Sequence, residues 1–151
     1  MNEKLKFEKN LTELNKHITK LNQKFTYLKH FYEIPIKEDD IEVIVNNDAD
    51  DSLDVIAYRF SKLQDTLGRT IRLWLFLKGE NLNNLSMIDI LNLAQRLGLD
   101  IDIDEWFELR TLRNSISHEY EDNYGKIADT LNKIYPYLEE LNKIIRYLNE
   151  T

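Results

Sequence analysis

The stretch FEKNLTELNKHITKLNQKFTYLKHFY, residues 7–32, sets Phe7, Leu11, Leu14, Ile18, Leu21, Phe25, Leu28 and Tyr32 at alternating four- and three-residue steps. An α-helix turns once in about 3.6 residues, so that alternation gathers these side chains on one face and predicts a long amphipathic helix. A stripe of this kind can be hidden only by packing against other elements, which points to a helical bundle.

Working outward, Pro35 disfavours helix at Ile34, and residues 33–51 read as a long acidic connecting loop in which only Ile41 to Val45 leans towards strand. Ser52 is the expected N-cap of a second helix, with Leu53, Ile56, Ala57, Phe60, Leu63, Leu67, Ile71 and Trp74 inward as far as about Lys78 and Gly79 as its C-cap. Ser86 begins a third helix carrying Met87, Ile90, Leu91, Ala94 and Leu97, which Gly98 ends. Asp102 with Glu105 resembles a capping box for a fourth, whose seam runs Trp106, Leu109, Arg113, Ile116 and Tyr120. Ile127, Leu131, Ile134, Leu138, Leu141, Ile145 and Leu148 form the stripe of the last helix, with a kink expected at Pro136. The expected fold is all-α: one domain over residues 1–151, an antiparallel bundle of about five helices.

A chain of 151 residues can hide roughly 70% of its unfolded surface, enough for a core without staples. It has no cysteine, which excludes disulfides and thiolate metal sites and suits a reducing cytoplasm. The opening residues are charged, and the longest apolar run, Leu73 to Leu77, is far too short to span a bilayer, so neither secretion nor membrane insertion is expected. A formal charge of −7 argues against generic affinity for nucleic acid, whose binding rests on lysine and arginine displacing counterions. Any RNA contact must be local.

The chemistry concentrates in Arg113-Asn114-Ser115-Ile116-Ser117-His118-Glu119-Tyr120. An arginine in an apolar seam must be paired or must serve a site that opens to solvent, because desolvating a guanidinium costs several kcal/mol. In an unbroken helix Arg113 and His118 are separated by about 140° and about 7.5 Å of rise. Either the helix loosens near His118, or a symmetric dimer brings two copies together in a composite cleft, and the dimer is the expected solution. The pair suits RNA cleavage: histidine can move the proton of a ribose 2′-hydroxyl or of the leaving 5′-oxygen, and arginine can hold charge growing on the phosphate, without a metal or cofactor. The structural alternative pairs Arg113 with Glu108 or Asp65 and leaves His118 as a helix-end residue and Tyr120 as edge packing. Spacing by itself leaves both open.

These eight residues resemble the R-x4-H-x-Y signature of HepT toxins, members of the HEPN superfamily paired with MNT-type minimal nucleotidyltransferase antitoxins. Arg59-Phe60-Ser61-Lys62-Leu63-Gln64-Asp65-Thr66-Leu67-Gly68 resembles the helix-two segment of the same proteins. The resemblance implies a HEPN-like homodimer acting as a metal-independent endoribonuclease toxin on tRNA or mRNA. Arg113 and His118 would be its catalytic pair, Asn114 a polar helper and Asp65 a supporting acid. Tyr120 would be the hydroxyl onto which the antitoxin transfers AMP, adding bulk and negative charge where RNA phosphates must bind. Some HEPN relatives keep the fold and act only as binding partners of a nucleotidyltransferase, so a catalytically inactive subunit is the alternative, and a purely structural helical dimer is a third. The acidic stretch from Glu38 to Asp51 has no counterpart in the family pattern.

Arg59, Lys62, Arg69 and Arg72 run roughly along one side of helix two, a strip able to guide RNA or to pair with Asp54 and Asp65. Asp100, Asp102 and Asp104 read as a helix-capping turn, and Asp48 to Asp54 lack the glycine and glutamate of a calcium loop, so no metal is assigned. His17 and His30 have no partners at ligand spacing, and ordinary packing or exposure is expected of both.

Overall fold

The computed structural model describes residues 2–116 and 123–151, apart from the side chains of Asn114 and Ser115. Six α-helices follow in order: α1 (Glu3–Phe31), α2 (Glu38–Val45), α3 (Ser52–Leu77), α4 (Met87–Arg96), α5 (Ile103–Leu112) and α6 (Tyr124–Glu150), with a 3-10 turn over Arg113–Ile116. No strand occurs among the described residues, and no helix there is long and apolar enough to cross a membrane.

The long stripes pack as their spacing requires. Phe7, Leu14, Ile18, Leu21, Phe25 and Leu28 of α1 are buried with Ile56, Phe60, Leu63, Leu67 and Ile71 of α3, and the seven α6 residues of the stripe from Ile127 to Leu148 complete the core. Two asparagine pairs join α1 to α6. Asn22 donates to Asn142 at 3.2 Å, and Asn15 to Asn149 at 3.3 Å. The partner number rises as the α1 number falls, so the two helices run antiparallel.

The segment 33–51 is not the loop its composition suggests, because it contains α2. Its first turn carries Glu38, Asp39 and Asp40, which favour the positive end of the helix dipole, and the Lys37 amide donates to Asp40 at 3.0 Å. Ile41 and Ile44 are buried, and the helix packs on α6. The β-branched Ile41, Val43, Ile44 and Val45 lean towards strand in isolation, and burial against α6 overrides that preference. The connection into α2 passes a cis Ile34–Pro35 bond and is clamped by Asn132, whose side chain accepts from the Ile36 amide at 2.8 Å and donates to the Ile36 carbonyl at 2.9 Å.

Helix ends differ in detail. Ser52 is fully buried in the first turn of α3 and donates through its amide and hydroxyl to Asp50, so it braces the preceding turn and does not cap the helix. Ser86 caps α4 as expected: it accepts from the Asp89 amide at 3.3 Å while Asp89 accepts from the Ser86 amide at 3.1 Å. Asp102 caps α5 through the Glu105 amide at 3.0 Å. Gly79 and Gly98 end α3 and α4 at φ of 88° and 106°, a region that side-chain-bearing residues avoid. The last helix continues through Pro136. The fourth predicted helix is α-helical from Ile103 to Leu112 and tightens into the 3-10 turn from Arg113 to Ile116, and its predicted continuation to Tyr120 lies outside the described residues.

Candidate functional site

Arg113 stands where α5 passes into the 3-10 turn, its amide still donating to the Leu109 carbonyl. Ile116, three residues on and therefore nearly eclipsed with Arg113 in 3-10 geometry, is buried and holds the turn against the core. The Arg113 guanidinium reaches the middle of α3, where Nη1 donates to Asp65 Oδ1 at 3.0 Å. Of the two carboxylates that could take it, Glu108 instead accepts from Lys133 at 3.1 Å. The Arg113 side chain is 20% exposed and that of Asp65 41% exposed, so the pair opens onto solvent. Asp65 is the one side chain paired with Arg113 among the described residues, which leaves further guanidinium donors for an incoming anion.

The α-helix gives way at Arg113, so α-helical angular spacing does not hold over Arg113–Ile116. Asn114 lies in the 3-10 turn, its side chain outside the described atoms, and His118 and Tyr120 lie outside the described residues.

The four basic residues of α3 find other company than expected. Arg59 Nη1 lies 3.1 Å from His17 Nδ1, Arg69 donates to the Thr66 hydroxyl at 3.3 Å, and Arg72 approaches Met87 sulfur at 4.0 Å. Lys62 stands 5.8 Å from the centre of the Tyr58 ring. Among the described residues none of the four is in an ion pair with a carboxylate, and Asp65 serves Arg113. Among the described residues the positive charge of this face is therefore uncompensated by ion pairs.

His30 is exposed, but His17 is a feature that spacing did not reveal. It is only 6% exposed. Arginine can only donate, so Nδ1 must accept and the ring proton sits on Nε2, which faces Glu13 at 4.0 Å. Burial first, and then the positive charge of Arg59, hold the His17 pKa below its ordinary value against the opposing pull of Glu13. A histidine on the apolar side of α1, four residues beyond a glutamate and opposite an arginine-bearing helix, was the signal available in the sequence.

The acidic turn behaves as read. Asp102 caps α5, and the shallow cleft of about 740 Å³ beside it is lined by Asp100, Asp102, Asp104, Glu105 and Glu140. No group of three or more His, Asp or Glu side chains suited to a metal occurs among the described residues. Compared with family models, with curated proteins and with solved structures, the chain matches none.

Proposed function

We propose that the chain is a HEPN-type, HepT-like endoribonuclease of a toxin–antitoxin pair, acting in the cytoplasm as a homodimer and silenced when a minimal nucleotidyltransferase adds AMP to Tyr120. The observation that carries it is the solvent-open guanidinium of Arg113, held on Asp65 at 3.0 Å where the α-helix ends, five residues before His118 in the R-x4-H-x-Y pattern. In the reaction, the ribose 2′-oxygen attacks the adjacent phosphorus as the bond to the 5′-oxygen breaks, leaving a 2′,3′-cyclic phosphate and a 5′-hydroxyl. His118 moves the proton between these oxygens, Arg113 offers donors to the charge building on the phosphate, and Asp65 keeps the guanidinium aimed.

Incubating purified protein with tRNA and with total RNA in EDTA tests this, with end-group analysis of the products. Cyclic phosphate ends from wild type and intact RNA with His118→Ala are expected, and equal cleavage by both would refute the assignment. A catalytically silent HEPN subunit that binds a nucleotidyltransferase is the second candidate, and the Asp65 ion pair favours it by giving Arg113 a structural partner. For that protein RNA stays whole with wild type too, while AMP is still transferred to Tyr120 by the partner and ATP.

A further inference from the structure

α1 and α3 do not close fully along their outer edge. Between them lies an open cleft of about 580 Å³ lined by Lys6, Lys9, Lys62 and Arg69, against the single carboxylate of Glu13. Lys6 is within 3.4 Å of Glu3, while Lys9, Lys62 and Arg69 have no ion-pair partner among the described residues. Buried His17 and Thr66 also line the cleft, and Arg59 Nη1 lies 3.1 Å from His17 Nδ1. Three cations without an ion-pair partner among the described residues, in one cleft of a chain carrying −7 overall, are poised for an anion.

A second feature distinguishes among anions. Tyr58 borders this cleft and the two neighbouring ones, of about 630 and 780 Å³, and is 55% exposed. Arg59 and Lys62 stand 5.5 and 5.8 Å from its ring centre. A free phosphate or an acidic peptide has no need of an exposed aromatic ring among cations, whereas single-stranded nucleic acid uses both: phosphates on the cations and a base stacked on the ring. At about 100° per residue, Arg72, Asp65, Tyr58, Arg69 and Lys62 fall within about 80° of one another around α3, so this surface shares a face with the ion pair of Arg113.

We infer that the α1/α3 cleft is a binding track for single-stranded RNA, with backbone phosphates at Lys9, Lys62 and Arg69 and a base stacked on Tyr58. It rests on the ribonuclease proposal only for its purpose; as a binding site it stands alone. The track offers affinity without base readout and leads the strand along α3 to Asp65 and Arg113.

The test is fluorescence anisotropy of a labelled single-stranded RNA dodecamer in EDTA, in a His118→Ala background, over a series of salt concentrations. Lys62→Glu with Arg69→Glu should weaken binding at least about tenfold and flatten the salt slope by about 1.4, since each phosphate contact on a single strand contributes about 0.7. Lys143→Glu with Arg146→Glu, the same change in net charge elsewhere, should leave binding nearly unchanged. Tyr58→Ala should cost about 5- to 150-fold. If the double reversal disturbs folding by circular dichroism, Lys62→Gln with Arg69→Gln should still lower the slope. Equal loss in the cleft and control variants, or a polyglutamate peptide that outcompetes the RNA, overturns the track. Binding that follows this pattern while wild type cleaves nothing sinks the nuclease and keeps the track; cleavage indifferent to the cleft variants does the reverse.

Discussion

Asp65→Asn, measured alone and together with Arg113→Ala, separates a catalytic guanidinium from a structural brace. Two unit charges at the observed 3.0 Å attract by about 5.5 kcal/mol at an effective dielectric of about 20. Asp65 is 41% exposed, however, and water competes for both groups, so the net coupling should fall to about 1 kcal/mol. In a chain of this size that is a loss of about 2–4 °C in Tm. On the ribonuclease proposal Arg113 would follow a different scale: removing a donor to the developing charge costs about 100- to 1,000-fold in kcat. Asp65→Asn, which keeps an acceptor and loses its charge, should cost about tenfold, equivalent to about 1.4 kcal/mol of transition-state stabilisation. The assay is a double-mutant cycle in thermal or urea unfolding run beside RNA cleavage per folded molecule. A coupling above about 3 kcal/mol, with cleavage unchanged in Arg113→Ala, would refute both the solvent-open picture of the pair and its role in catalysis.

Two further outcomes follow from buried polar groups. Burial and Arg59 lower the His17 pKa in the fold from its ordinary value of 6.5, so the unfolded chain takes up its proton first as pH falls. The stability linked to His17 is therefore complete above about pH 6.5 and is lost on going below it, by at most about 1.4 kcal/mol per pH unit. Tm measured from pH 7.5 down to 5 should fall less steeply in His17→Gln, and an identical slope would remove His17 from the linkage. The Tyr137 hydroxyl is buried without a hydrogen-bond partner among the described residues, and burial pushes its pKa far up. Tyr137→Phe should stabilise the protein by about 1 kcal/mol, raising Tm by about 2–4 °C, and a lower Tm would show that the hydroxyl has a partner after all.

Residue order alone determined the long helices α1, α3 and α6 and the caps at Ser86, Asp102, Gly79 and Gly98, because apolar periodicity and capping chemistry are local properties that a strip of sequence carries with it. It also marked Arg113 as a cation in need of a reason. Only the tertiary structure decided that the reason is Asp65 on α3, 48 residues away, that α5 yields to a 3-10 turn at that point, and that His17 receives Arg59. It likewise turned the acidic stretch after Pro35 into α2, by burying Ile41 and Ile44 against α6. Partners so far apart in the chain are chosen by which helix faces meet, and a short helix with β-branched residues persists only because another helix covers it. Neither condition is written in the spacing of any one segment.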